Sequence, residues 1–245
     1  MPTRKIVILT GAGISAESGL STFRTNNGLW NNNKIEDVAT LEAFERNPDM
    51  VHHFYNDLRP IMLNAQPNYI HNAISMLQSE LKNTEINIIT QNIDLLHEKA
   101  RNKNICHIHG RIDECICMNC GQTIKVYGDI STDNICPHCK ITGMLKPNII
   151  FFGEMPQHLK KVEQLLTECH DFIAIGTSGT VYPAAGFVQT AKKNGATTYL
   201  FNLDKTDNTD MFDYHFFGNA SETFTKFAEK LLIKQDNHIE KSFSD

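Results

Sequence analysis

Lys5-Ile6-Val7-Ile8-Leu9-Thr10 runs without a break into Gly11-Ala12-Gly13-Ile14-Ser15-Ala16. The first stretch is β-branched and apolar almost throughout, as a strand buried on both faces must be. The second is a G-x-G-x-x-G/A turn at the end of that strand and the start of a helical pattern, the context in which the turn binds a nucleotide pyrophosphate. Missing side chains let the backbone approach the phosphates, and a helix start supplies N–H groups and a partial positive charge. A hydride-transferring dehydrogenase also needs an acidic residue at the end of its second strand. Glu36 and Asp37 fall in a polar segment without strand character, so that class is disfavoured.

The same rhythm continues along the chain. Strand-like runs at 86–90, 105–109, 148–152, 172–176 and 198–203 alternate with helical patterns over 67–81, 156–169, 183–194 and 221–233. Strand alternating with helix predicts an α/β fold, a Rossmann-like doubly wound parallel sheet. Residues 1–24, 67–110 and 147–233 would build this discontinuous domain. Two segments interrupt it: 25–66, polar and asparagine-rich with helical patterning, and 111–146, which holds the cysteine pairs. Together they would form a small helical plus zinc-ribbon domain over the sheet. Residues 234–245 read as a polar, frayed tail.

The 28 acidic against 23 basic residues give a net charge of −5, which argues against a protein built to grip a phosphate backbone. No apolar run approaches the roughly 18 residues of a membrane helix. The opening residues read as a first strand of a cytoplasmic protein rather than a leader, since Gly11 to Gly13 and Glu17 interrupt the apolar run. Seven cysteines, an odd number, do not make a disulfide framework.

Four of those cysteines stand in two pairs, Cys117-Met118-Asn119-Cys120 and Cys136-Pro137-His138-Cys139, fifteen residues apart. Each pair can present two thiolates on one side, and two such knuckles complete a tetrahedral four-sulfur site suited to Zn(2+). A closed shell of four thiolates leaves no place for water, so the metal would be structural. A redox dithiol or an iron–sulfur cluster are the rival readings. Cys115 lies too close to Cys117 to form a knuckle with it, and Cys106, Cys115 and Cys169 read as ordinary thiols, Cys106 and Cys169 in or near the core. A ribbon also invites a nucleic-acid reading, but only Lys125, Lys140 and Lys146 flank it.

The glycine turn continues as Glu17-Ser18-Gly19, with Thr22-Phe23-Arg24 following. Further along come Thr90-Gln91-Asn92-Ile93-Asp94-Leu95-Leu96-His97, His109-Gly110, Phe152-Gly153-Glu154, Gly176-Thr177-Ser178 and Asn202-Leu203-Asp204. In this order and with the cysteine pairs, the chain resembles the sirtuins, NAD-consuming protein-lysine deacylases, from about residue 5 to 232. The resemblance implies that His109 and Asn92 are catalytic: His109 as general base on a ribose hydroxyl, Asn92 orienting a water and the ribose. It implies NAD contacts from Gly11, Ala12, Gly13, Ser15, Ala16, Phe23, Arg24, Gln91, Asn92, Ile93, Asp94 and His109 on the nicotinamide, sugar and phosphate side. Gly176, Thr177, Ser178, Asn202 and Ala220 would take the adenosine half. Phe152, Gly153 and Glu154 would pair with the substrate backbone, and a structural Zn(2+) would sit on Cys117, Cys120, Cys136 and Cys139. Products would be free lysine, nicotinamide and O-acyl-ADP-ribose.

The stretch 181–186 with Gly176 to Gly179 resembles the sirtuin branch that includes desuccinylases, which marks its acyl pocket with Tyr-x-x-Arg. Here Tyr55 is present, Leu58 stands where the arginine would be, and Arg59 comes one residue late, about 100° further around a helix. Tyr55 and Leu58 are therefore expected at the acyl group, with acetyl or other short acyl groups favoured. Desuccinylation or demalonylation, protein ADP-ribosyl transfer, and a non-enzymatic zinc-ribbon binding protein are the alternatives. Acylated lysines of proteins are the expected partners, without membrane or specific nucleic acid. The residues fix no oligomeric state and are compatible with a monomer.

Overall fold

A computed structural model describes residues 3–21, 29–30 and 33–240. Six strands form a parallel sheet: β1 (Arg4–Thr10), β4 (Thr84–Thr90), β5 (Ile105–His107), β9 (Asp171–Ile175), β10 (Thr197–Asn202) and β11 (Tyr214–Phe217). Their spatial order is β11-β10-β9-β1-β4-β5. Taken in chain order this is 3-2-1-4-5-6, the doubly wound arrangement whose ligand crevice opens where β1 and β9 lie side by side. Pairing on both sides of β1 is in continuous parallel register, Ile8 opposite Ile88 and opposite Ile173.

Alternation along β1 explains the two layers of helix. Ile6 and Ile8 pack with Ile70, Ile74 and Leu77 of α4 (Tyr69–Glu80) and with Phe224 and Ala228 of α8 (Ala220–Glu240). Val7 and Leu9 face the other way, onto Val162 and Leu166 of α6 (Leu159–Glu168) and Val188 and Ala191 of α7 (Phe187–Lys193). A strand whose successive side chains enter two different cores cannot alternate apolar with polar.

A third core stands apart from the sheet. It unites α1 (Ile35–Val38), α2 (Leu41–Arg46) and α3 (Pro48–Asn64) with Ile112, Ile149 and Phe151. Polar starts define these helices: Thr40 Oγ1 accepts from Ala43 N (3.1 Å), and Asn47 Oδ1 from Met50 N (3.2 Å) ahead of Pro48. Ile112 belongs to β6 (Gly110–Cys117), the centre of a three-stranded antiparallel sheet with β7 (Thr123–Lys125) and β8 (Leu145–Ile149). The remaining hairpin is β2 (Leu29–Trp30) with β3 (Asn33–Lys34), and α5 (Leu96–Lys99) follows β4. Arg59 of α3 joins helices to ribbon, donating to Ile112 O (3.1 Å), Gly128 O (3.1 Å) and Asn56 Oδ1 (2.8 Å).

Four elements differ from the sequence reading. The run at 148–152 does not extend the parallel sheet; its first residues close β8, which pairs antiparallel with β6. All five β8 residues are buried, so their composition resembles that of a parallel strand. The run at 105–109 is a strand only to His107. α8 continues past residue 233 to Glu240, while 241–245 lie outside the described residues. β11, Tyr214-His215-Phe216-Phe217, is aromatic but short and exposed along all four residues at the sheet edge, and the sequence reading assigns no strand there.

Candidate active site

Beyond the carboxyl ends of β1, β4, β9 and β10 opens a crevice of about 640 Å³, within the size range of small-molecule sites. Its floor is made of two backbone turns. Gly11, Ala12, Gly13, Ser15 and Ala16 leave β1, and Gly176, Thr177 and Ser178 leave β9. The first turn continues as a 3-10 helix, Ala12–Ser18, rather than an α-helix.

The glycines of these turns meet each other. Gly13 N donates to Gly176 O (2.9 Å), and a Cβ built on Gly13 would stand 2.6 Å from Gly176 Cα. A Cβ on Gly11 would stand 2.6 Å from Gly176 O. Backbone-to-backbone contact therefore demands glycine here whether or not a phosphate is bound, and Gly13 N is already engaged. The glycines thus have a packing reason beside the close approach to a pyrophosphate expected of such a turn.

The segment after β4 supplies a buried polar network. Asn92 Nδ2 donates to Gly11 O (3.0 Å) and Ser15 Oγ (3.0 Å), and Ser15 Oγ donates to Asp94 Oδ2 (2.8 Å). Asp94 Oδ1 accepts from Leu96 N (3.0 Å). With both amide hydrogens of Asn92 used inside the protein, its Oδ1 is the atom left to meet a ligand. Gln91, Asn92, Ile93 and Asp94 all line the crevice.

His109 sits in the turn between β5 and β6, not at a strand end. The turn needs Gly110, whose φ is +82° and whose Cβ, if present, would clash with Asn148 O at 1.9 Å. The imidazole lines the crevice, and Nδ1 lies 3.0 Å from Gln91 O. A carbonyl can only accept, so Nδ1 carries the hydrogen and Nε2 of the neutral ring keeps its lone pair. Burial pushes the His109 pKa below its ordinary value, partly offset by the Gln91 hydrogen bond. The ring is thus kept neutral and basic at pH 7.

Across the crevice stand Tyr55 of α3, with its phenol pushed upward in pKa by burial, and Phe152, Gly153 and Glu154. Glu154 is held by Lys146, whose Nζ lies 2.9 and 2.8 Å from its two carboxylate oxygens and 4.1 Å from the Phe151 ring centroid. Phe152 N donates to Ala39 O (2.8 Å), tying the segment to the helical layer. At the far end Asn202, ending β10, donates from Nδ2 to Thr177 O (2.8 Å), and Ala220 opens α8 beside them.

Leu58 is the exception among the expected residues. It is buried in the third core and is not among the crevice-lining residues, while Met62, one turn further on, is. Leu58 and Met62 share the apolar face of α3, and periodicity does not distinguish the part that meets the crevice from the part that meets Phe44 and Val38. Phe23 and Arg24 lie outside the described residues. Sequence reasoning missed Ala39, Met62, Val181 and Tyr182, which line the crevice without a chemical signature. Glu17, also lining, carried a signal in its place on the glycine turn.

At the ribbon, the sulfurs of Cys117, Cys120, Cys136 and Cys139 all lie within 4.8 Å of one another. Cys117 and Cys139 are 3.7 Å apart at sulfur, and Cys120 and Cys136 3.8 Å. Four thiolates at Zn–S distances of about 2.3 Å form a tetrahedron with edges of about 3.8 Å, so the donor set fits Zn(2+). Cys115 is buried beside it and outside this set, while Cys106 and Cys169 lie in the sheet core.

Residues 11–183 match the Sir2 family. An NAD-dependent protein deacylase of Bdellovibrio bacteriovorus is 47% identical over 233 residues, covering 94% of this chain and 97% of its own. One from Vibrio vulnificus is 45% identical over 241 residues, covering 98% of each. Among solved structures, a mutant Sir2 homologue in complex with ADP-ribose superposes with a TM-score of 0.85 at 32% identity, covering 97% of this chain and 94% of its own. A Sir2 homologue–NAD complex does so with 0.83 at 33% identity, covering 94% and 91%.

Proposed function

The chain belongs to the Sir2 family, and on that premise we propose that it removes acetyl and other short neutral acyl groups from protein lysines with consumption of NAD. NAD supplies the ribose carbon to which the acyl oxygen is transferred as nicotinamide leaves. The observation that carries the reading is the convergence of a neutral, oriented His109 and the Asn92–Ser15–Asp94 network on one crevice floored by two glycine turns.

Each group has a task its geometry supports. Asn92 presents Oδ1 to the ribose or a water, and Ile93 and Asp94 hold the carboxamide end. Ser15 and Gln91 line the sugar; Phe23 and Arg24, outside the described residues, are assigned to ribose and phosphates by the family resemblance alone. Gly176, Thr177, Ser178, Asn202 and Ala220 take the adenosine half. An amide oxygen is a weak nucleophile, so holding it against the ribose and excluding water supply much of the rate. His109 Nε2 then takes the proton of a ribose hydroxyl as its oxygen bonds to the acyl carbon; one water adds to the same carbon and the C–N bond breaks, giving free lysine and O-acyl-ADP-ribose. Phe152, Gly153 and Glu154 receive the substrate backbone, which gives affinity with little choice of sequence. Zn(2+) on the four cysteines is structural, and a cytoplasmic location suits thiolates that must stay reduced.

The preference for neutral acyl groups rests on charge. Among the described residues lining the crevice none is Lys or Arg, whereas Glu17, Asp94, Glu154 and Asp204 are acidic. Arg59, the arginine nearest in sequence to Tyr55, does not line the crevice: Nε and Nη1 donate to Ile112 O, Asn56 and Gly128 O, and Nη2 is buried. A succinyl carboxylate would enter without a partner, which is costly. Mass spectrometry after incubating the protein and NAD with acetyl and succinyl versions of one peptide tests both parts. Loss of acetyl with the higher kcat/KM supports the reading. Gain of ADP-ribose on the peptide, or no change, refutes deacylation, and a clear succinyl preference refutes the charge argument.

A further inference from the structure

Two histidines flank Ile108, and only His109 has a role so far. His107, buried at the end of β5, reaches the same segment from the other side: its Nδ1 lies 3.1 Å from Asn92 O, as His109 Nδ1 lies 3.0 Å from Gln91 O. Two side chains thus hold consecutive carbonyls of the segment that carries the site. They differ in what stands behind them. Nε2 of His107 is 2.7 Å from Glu98 Oε1 of α5, whereas His109 opens onto the crevice.

Asn92 O can only accept, so Nδ1 of His107 carries a hydrogen, and the ring bridges that carbonyl to the Glu98 carboxyl. The arrangement continues outward. Glu98 Oε1 also accepts from Arg111 Nη1 (2.6 Å), Arg111 Nε donates to Asp113 Oδ1 (3.0 Å), and Lys125 Nζ donates to Asp113 Oδ2 (2.8 Å). Arg111 and Asp113 lie on β6 and Lys125 on β7, inside the ribbon sheet. Burial alone would push the Glu98 carboxyl up, but His107 and Arg111 together hold it below its ordinary value. Among the described residues Glu98 Oε2 is buried without a hydrogen-bond partner, so the group depends on the contacts that His107 and Arg111 make with Oε1.

We propose that His107 is a positioning residue for the reaction, bracing the Asn92 carbonyl against Glu98 and so fixing the 91–94 segment from which Asn92, Asp94 and the His109 base act. It rests on the reading of the crevice as a deacylase site. Gln91 N is fixed by Thr10 O (2.9 Å), Asn92 N by Thr90 Oγ1 (3.1 Å) and Ile93 O by Ile112 N (2.9 Å). His107 adds the hold on the Asn92 carbonyl, at the residue whose side chain already reaches Gly11 and Ser15. A displacement of about 1 Å in a reacting array costs on the order of 100-fold in rate.

The test compares His107→Phe and His107→Gln with the unaltered enzyme, measuring kcat, KM for NAD and peptide, NAD affinity by calorimetry, and melting temperature. The phenyl ring keeps bulk and removes both ring nitrogens; the glutamine amide keeps one donor for Asn92 O. Expected is a kcat lowered about 10-fold or more in His107→Phe, with NAD affinity within about 3-fold, and partial recovery in His107→Gln. Glu98→Gln should lower kcat less, and the Glu98→Gln, His107→Phe pair should be no slower than His107→Phe alone, because Glu98 acts through the ring. A folded His107→Phe enzyme with kcat within about 2-fold of the unaltered one overturns the proposal. So does an equal loss in both variants that tracks melting temperature alone. If His107→Phe does not fold, His107→Leu, which also lacks both ring nitrogens, decides: unchanged kcat with a lowered melting temperature refutes positioning. An unaltered enzyme without deacylase activity would refute the underlying reading and the proposal with it.

Discussion

Replacing Gly13 with Ala puts one methyl group where two backbones touch. Its carbon would lie 2.6 Å from Gly176 Cα and 2.8 Å from Gly176 O. Carbon contacts are comfortable at about 3.5–4.0 Å, so the two turns must part by about 1 Å. Both neighbours are backbone, so no side chain can rotate away. Overpacking of this kind costs about 1–3 kcal/mol, and the absence of a flexible neighbour places Gly13→Ala toward the upper end. At about 2–4 °C per kcal/mol for a chain of this size, melting should fall by roughly 4–12 °C. If a ligand needs the native spacing, the same strain opposes binding and weakens NAD affinity on the order of 10- to 100-fold. Calorimetric titration with NAD and thermal melts measure both. Gly128→Ala is the matched control, because a Cβ there meets nothing within 4 Å. A Gly13→Ala protein that melts and binds NAD like the unaltered chain would refute the claim that the turns are in obligatory contact.

His109→Ala should bind NAD within a few-fold of normal yet lose deacylation by roughly 100-fold or more, and collapse of NAD affinity would instead mark the ring as structural. Since the base must be neutral and burial lowers its pKa, activity should disappear on acidification only below pH 6.5, and an acidic limb centred above that value contradicts the assigned environment. Metal analysis should find one zinc per chain, with Cys136→Ala losing both metal and ribbon stability; full stability without zinc would exclude a structural metal. Lys146→Met strands Glu154 beside the crevice. It should cost toward the low end of about 3–5 kcal/mol because Glu154 is 27% exposed, and it should raise peptide KM more than NAD KM. Equal effects on the two would separate Lys146 from the substrate side.

The parts of the fold legible in the sequence are those where one physical demand dominates. β1, β4, β9 and β10 announce themselves because strands packed on both faces admit few polar residues, and the cysteine pairs because zinc fixes their spacing. β8 has the same burial for a different reason, enclosed between β6 and the helical core, so composition alone assigned it to the wrong sheet. Leu58 shows the corresponding limit for a helix: Tyr55 and Met62 meet the crevice and Leu58 the core, although all three are apolar on one face. His107 was within reach. It ends the apolar β5 run and precedes the base His109 by two, a polar ring in the position where that run enters the site.

The central position of β1 bears on how the chain is made. Its neighbour on one side, β9, lies far along the sequence: the hydrogen bond between Lys5 N and His170 Nδ1 spans 165 residues. At translation rates of about 5–20 residues per second, β1 waits roughly 8–30 s for that edge to be synthesised. Throughout that interval Ile6, Val7, Ile8 and Leu9 belong to two cores, yet α7 and α8, which help cover them, are still unmade, and α6 is completed only at its end. Pairing with β4 can satisfy only one edge of the strand. The nascent protein therefore carries an adhesive, half-paired strand through most of its synthesis, an opening for chaperone capture or for aggregation that the finished molecule conceals.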